Sequence, residues 1–335
     1  MQKKSLRVRL ISMSPKVPHK KSHKLELKNP EAWAGVWTAL ITPLVRKKNE
    51  LLLDEKSLEF LIDDQIKRGV RGIVIAGSTG EGSLLNSPLL EKLFQLSAEI
   101  ASSRVPLVAG LGIGGTEACL NNLALAKKYQ FSGVLASPPA YIKAPQHALK
   151  KHYLRLATEN LPICLYEIAG RAASSIDVNT LANLAREKDP AAKNIVALKD
   201  ASANMQRALD IGKNCHGRFA LLSGDDGTFC SYLASGGSGV ISVVSHFYPE
   251  VMQQILQNFE SGNCKKALDL QNKIAEFVEA LFWESNPIPC KTLLFDIKKV
   301  QNLEFCAPLL PMTKEKLEKL KTLWQKTNKQ LLEKM

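Results

Sequence analysis

Eight short β-branched apolar runs, each followed by a longer segment with apolar residues three and four apart, precede a stretch of helical spacing alone from about Pro249. These observations predict an α/β fold, a (β/α)8 TIM barrel with a C-terminal helical extension. Alternating strand and helix implies a parallel sheet with right-handed crossovers, and eight repeats imply closure. The expected organisation is a basic, disordered leader over residues 1–34, the barrel over 35–248 and a helical region over 249–335.

In chain order the runs are "GVWTALITPL", "GVRGIVIAG", "VPLVAGLG", "FSGVLASPP", "LPICLYEI", "NIVALKD", "RFALLSGDD" and "GSGVISVVS". Between them, "SLEFLIDDQIKRG", "PLLEKLFQLSAEIASS", "TEACLNNLALAKKYQ" and "PQHALKKHYLRLATEN" carry the helical period. His147 and His152 fall in the last of these and are expected on its surface. The final helix begins after Pro311 with Thr313 as N-cap, and Leu317, Leu320, Trp324 and Leu331 share one face suited to packing on the barrel. "GLGIGG", Gly110 to Gly115, matches a dinucleotide-binding pattern, but the next strand lacks the acidic residue that would hold a ribose. These glycines are expected to turn the third strand into its helix.

Composition excludes several classes. With 335 residues, 45% of them hydrophobic, the chain can bury a large core. No apolar run reaches the ~18 residues a membrane-spanning helix needs. Seven cysteines, scattered and never spaced C-x-x-C, point to neither a disulfide framework nor zinc, and fit a reducing cytoplasm. No metal is assigned. The net charge of +13 is uneven: residues 1–28 hold nine Lys or Arg against Glu26 alone. That leader reads as disordered and non-essential, with an organelle transit peptide or a misassigned start as alternatives, and neither nucleic acid nor membrane is expected as a partner. A binding module working through the leader is the competing class, and deletion of residues 1–28 separates the two, because an enzyme keeps its turnover.

Reactive groups of a parallel barrel sit at the carboxyl ends of its strands and in the loops that follow. Those ends offer Gly77-Ser78-Thr79-Gly80-Glu81 at the second strand, Tyr141 after the fourth and Tyr166 and Arg171 at the fifth. Lys199 stands at the sixth, Gly224-Asp225-Asp226 at the seventh and Ile241 in the eighth. Lys199 closes an apolar run, where desolvation would free its lone pair for attack on a carbonyl carbon; the alternative is a lysine paired to Asp200 or another carboxylate. Tyr166 could relay the protons that imine formation moves, and hydroxyls of Thr79 or Tyr141 could extend that relay. Alternatively Tyr166 is a core aromatic. Gly77 and Gly80 let the backbone turn so that amides and hydroxyls of Ser78 and Thr79 converge on a small anion, unless the loop is an ordinary turn. Arg171 offers a planar fork for a carboxylate, or a surface salt bridge.

Together "GSTGE", "YEIAGR", "ALKD", "LLSGDD", "GGSGVISV" and "NPIPCK", in this order from about Gly35 to Met312, resemble the dihydrodipicolinate synthase and N-acetylneuraminate lyase family of class I aldolases. The resemblance implies a barrel with a helical extension, assembled as a homodimer or homotetramer. It makes Lys199 the residue forming an imine with pyruvate, with Tyr166, Ser78, Thr79 and Tyr141 as the proton-relay neighbourhood. Thr79 and Ile241 would touch pyruvate, and Tyr141 would come from the partner subunit. Arg171 and the "NPIP" segment with Lys291 resemble the synthase branch, implying condensation of pyruvate with L-aspartate 4-semialdehyde to 4-hydroxy-tetrahydrodipicolinate, in diaminopimelate and lysine biosynthesis. No cofactor is implied. An N-acetylneuraminate lyase or 2-keto-3-deoxy sugar acid aldolase is the alternative with the same imine chemistry.

The sequence departs from the family pattern at Ser78, which replaces threonine and keeps the hydroxyl, and at Glu167, Ala169 and Ala172. A carboxylate at Glu167 is expected to change the strand's hydrogen bonds or to disfavour an anionic second substrate. Ala140 replaces the tyrosine of lysine-inhibited members, and Ser87, Leu90, Gly114 and Ala118 fall near their other lysine-binding positions. Weak or absent lysine feedback follows, which an inhibition curve tests.

Overall fold

The computed structural model describes residues 26–215 and 217–333. The expected leader lies outside the described residues up to position 25. Its remainder corrects the boundary at residue 34: Leu27 and Trp33 are fully buried, and Pro30–Trp33 forms a short 3-10 helix beneath the barrel.

Ten strands occur among the described residues: β1 (Gly35–Ala39), β2 (Leu44–Lys47), β3 (Glu50–Leu53), β4 (Gly72–Ile75), β5 (Leu107–Gly110), β6 (Gly133–Ala136), β7 (Ile163–Glu167), β8 (Ile195–Asp200), β9 (Ala220–Ser223) and β10 (Gly239–Ser242). Eight of them close a parallel barrel in the order β1-β10-β9-β8-β7-β6-β5-β4. The first predicted run therefore divides into β1 and the start of an antiparallel β2–β3 hairpin, which turns through Lys48 at φ +55. Sequence periodicity missed this hairpin because two four-residue strands offer too little alternation to register.

Helices cover the barrel as the spacing requires. Glu55–Lys67 starts where Asp54 accepts the Ser57 N–H, and Ser87–Ala101 where Asn86 accepts that of Leu89, each satisfying an end amide. Pro249–Glu260 packs on β1 and completes the outer ring. Beyond it, Lys314–Leu332 begins at Thr313, whose Oγ1 accepts the Lys316 N–H, and buries Leu320 against Cys264–Ala280 and Ile288–Asp296. None of the described helices is long and apolar enough to cross a membrane.

The interior divides by strand alternation, since successive side chains point to opposite faces. Outward residues meet the helices in the larger core, while Trp37, Val74, Val108, Leu135, Cys164, Tyr166, Leu222 and Ile241 belong to the cluster filling the lumen. At the amino end Trp33 stacks on Trp37 with centroids 5.2 Å apart. A Cβ on Gly72 would stand 2.0 Å from the Trp37 ring, so glycine is required there. The expectation for His152 is corrected: it is buried, its Nδ1 lies 2.9 Å from Thr116 Oγ1, and burial depresses its pKa to about 4.

Candidate active site at the carboxyl end of the barrel

Adjacent strands β7 and β8 pair Tyr166 with Lys199 and Glu167 with Asp200. The first pair faces the lumen and the second the surrounding helices, as alternation demands. Lys199 is 6% exposed, and its Nζ lies 4.3 Å from the centroid of the Tyr166 ring. Asp200 does not hold it. Asp200 Oδ1 accepts the Ser202 N–H at 2.9 Å and Oδ2 lies 3.6 Å from Arg207 Nε. Among the described residues Lys199 forms no ion pair, so of the two roles open to this lysine the reactive one has the geometric support.

The loop after β4 supplies hydroxyls. Its shape depends on Ala76, in the left-handed region at φ +55, whose carbonyl oxygen would lie 1.9 Å from a Cβ on Gly82 and 2.2 Å from one on Gly110. Gly110 is thus needed for close backbone approach, while Gly112 at φ +81 and Gly115 as N-cap of Thr116–Lys128 make the expected strand-to-helix turn. Gly77 accepts the amides of Gly80 and Gly82, and the carbonyl of Gly80 accepts the Thr42 hydroxyl at 2.7 Å. Gly77, Ser78, Gly110, Leu135, Ser137 and Tyr166 line a cavity of about 30 Å3. Ile241 is buried in the same lumen cluster as Tyr166.

Thr79 is 3% exposed, and its Oγ1 accepts a hydrogen bond of 2.9 Å from Asn286 Nδ2. With that lone pair engaged, the hydroxyl keeps its own proton for another acceptor. The Asn286 carbonyl accepts Arg171 Nη2 at 2.8 Å, so one residue ties the hydroxyl loop to the guanidinium. Sequence reasoning singled out the "NPIP" segment without giving Asn286 a role; the asparagine ahead of a proline was the available signal.

Two sets of candidate acids are structural. Glu81, also left-handed at φ +56, meets Lys291 at 2.6 Å with both side chains fully buried, and its other oxygen accepts the Cys306 N–H. This pair fastens the β4 loop to the helical extension; burial lowers the Lys291 pKa while Glu81 opposes that shift. Asp226 accepts the amides of Val243 and Val244 at 2.8 Å, and Asp225 accepts the amide and hydroxyl of Thr228.

Tyr141 is the predicted residue that the chain does not bring to Lys199. It stands 91% exposed at φ +74, beside Ile142 at 63%, and its amide donates to Ala172 O. Of the two alternatives for Glu167, the geometry follows changed hydrogen bonding and not disfavour of an anionic substrate: the side chain points out of the barrel, 1% exposed, and its oxygens accept backbone amides of the following loop.

Fold and site together define a (β/α)8-barrel enzyme built around a lysine in the lumen. The model of the dihydrodipicolinate synthetase family matches residues 32–327, and the chain belongs to that family. It is 34% identical over 287 residues to a 4-hydroxy-tetrahydrodipicolinate synthase from Thermodesulfovibrio yellowstonii, covering 85% of this chain and 95% of that one. Identity to the corresponding synthase from Syntrophus aciditrophicus is 36% over 292 residues, 87% of this chain and 97% of the relative. A solved 4-hydroxy-tetrahydrodipicolinate synthase from Methylacidiphilum fumariolicum SolV superposes with a TM-score of 0.84 at 32% identity, covering 90% of this chain and 97% of that one.

Proposed function

We propose that this chain condenses pyruvate with L-aspartate 4-semialdehyde to 4-hydroxy-tetrahydrodipicolinate, the product for which its relatives are named. The observation that carries the reading is the Lys199 amine, without an ion pair among the described residues and buried beside the Tyr166 ring while its neighbour Asp200 turns away to Arg207. Lys199 Nζ attacks the keto carbon of pyruvate, and loss of water leaves an imine. Removal of a methyl proton gives an enamine, whose carbon attacks the aldehyde carbon; the aldehyde oxygen takes a proton and becomes the hydroxyl. The substrate's amine then displaces Lys199 from the imine carbon, closing the ring and restoring the enzyme.

Tyr166 carries protons between Lys199 and the departing water, with Thr79 and Ser78 as the adjoining hydroxyls. Ile241 and the Gly77–Gly80 turn contact pyruvate, and Arg171 receives the aldehyde substrate's carboxylate with the part of its fork not bound to Asn286. Tyr141 serves the site of a second copy in a homodimer or homotetramer, which its exposure with Ile142 and Ile113 supports. The cytoplasm is the compartment we assign, supported by free cysteines throughout the described residues.

The test is borohydride reduction in the presence of pyruvate, which should place a stable adduct on Lys199, followed by turnover assays with aspartate semialdehyde and with sugar aldehydes. Lys199→Ala should lose the adduct and at least about a thousand-fold in turnover. An adduct elsewhere, or preference for a sugar aldehyde, would overturn the assignment.

A further inference from the structure

The lumen residues have a buried counterpart one position along each strand. Glu167 Oε1 accepts the Ala169 N–H at 3.1 Å and Oε2 accepts the Ile176 N–H at 2.7 Å. A single carboxylate therefore grips both ends of the loop that carries Arg171. Arg207, on the helix Met205–Cys215, reinforces the grip: its Nη2 donates to Ile176 O at 2.7 Å, lies 3.4 Å from Glu167 Oε2, and its Nε faces Asp200. The same loop presents Ala172 O to the Tyr141 amide and Ser175 O to Gln146.

We propose that Glu167 is a positioning residue for the second substrate, clamping the 168–176 loop so that Arg171 is held against Asn286 with its remaining N–H groups aimed at a carboxylate. This rests on the reading above that Arg171 receives that group. A carboxylate suits the task because both of its oxygens accept, whereas an amide would offer one acceptor and turn an NH2 toward the second backbone amide. The outward aim of the side chain also removes any repulsion toward an anionic substrate in the lumen. Burial pushes the carboxyl pKa up, against the lowering influence of the Ile176 amide, Arg207 and Ser175, while Asp200 adds to the rise. Holding Glu167 ionised therefore costs folding stability, which fits a group kept for its effect on the site.

Glu167→Gln should raise KM for aspartate semialdehyde about ten- to a hundred-fold. Saturated kcat, KM for pyruvate and the rate of borohydride trapping should stay within about two-fold of the parent, because Lys199 and Tyr166 face the other side of their strands. Arg207→Gln should move KM in the same direction, and the double variant should be no worse than the poorer single one, since both act through one loop. Unchanged KM for the aldehyde overturns the clamp, as does an equal rise for both substrates. Should either variant fail to fold, hydrogen exchange in the parent decides: the Ile176 amide should be among the slow amides of this segment, and fast exchange overturns the clamp. Absence of turnover with aspartate semialdehyde in the parent enzyme would sink the functional reading itself, a result distinct from a variant-to-parent KM ratio near one.

Discussion

The two ends of the barrel are built from the same eight strands and differ in what they leave unpaired. At the amino end Trp33 Nε1 donates to Leu27 O and Trp37 Nε1 to Trp33 O, the two rings stack, and glycines at the starts of β4 and β6 make room for them. The indole N–H groups of that end are matched. At the carboxyl end, among the described residues, an amine faces an aromatic ring without an ion pair and Asn286 Oδ1 is buried without a partner. Groups kept short of partners are available to substrate, and their cost to stability is offset by the plug below.

Three changes put that contrast to the test. Trp33→Ala should cost about 3–5 kcal/mol of stability by opening the plug. Denaturant melts would register it, while kcat of the folded fraction should stay close to the parent value. Acid should act on the opposite end. His246 is 1% exposed, its Nε2 accepts the Ile41 amide beyond β1, and burial depresses its pKa to about 4. The unfolded chain takes up that proton near pH 6.5 and the folded chain only near 4, so stability is lost as pH falls through this window, by roughly 3 kcal/mol from His246, with His152 acting in the same direction. Melts between pH 7 and pH 4 check the sign; a His246→Gln variant, whose amide can still accept, should flatten the slope. The smallest effect belongs to Asn286→Ala, which frees the Thr79 hydroxyl while the main-chain carbonyl that accepts from Arg171 remains. Turnover should fall about ten- to a hundred-fold with melting little changed. A variant that melts early while keeping its rate would show Asn286 to be a structural strut and erase the distinction between the two ends.

The eight strands were legible because each is a run of β-branched residues bounded by helical spacing, a signal that survives without tertiary information. Lys199 and Tyr166 were legible for the same reason: each interrupts an apolar run at a strand's carboxyl end. Glu81 and Asp226 drew attention on the same grounds and proved to be buried ties, since position along a strand does not say which partner waits across the fold. Asn286 was hidden because its contacts, Thr79 and Arg171, lie 207 and 115 residues away in sequence.

Order and spacing of residues thus determined the barrel, the family and the end at which we place the chemistry, because strand period and loop composition are local properties of the chain. Tertiary structure alone decided that Asp200 serves Arg207 instead of Lys199, that Glu167 grips a loop, and that residues 26–34 close the barrel from below. Each of those outcomes depends on which side of a strand a group faces and on what a distant segment brings to meet it, and both are fixed only when the sheet closes.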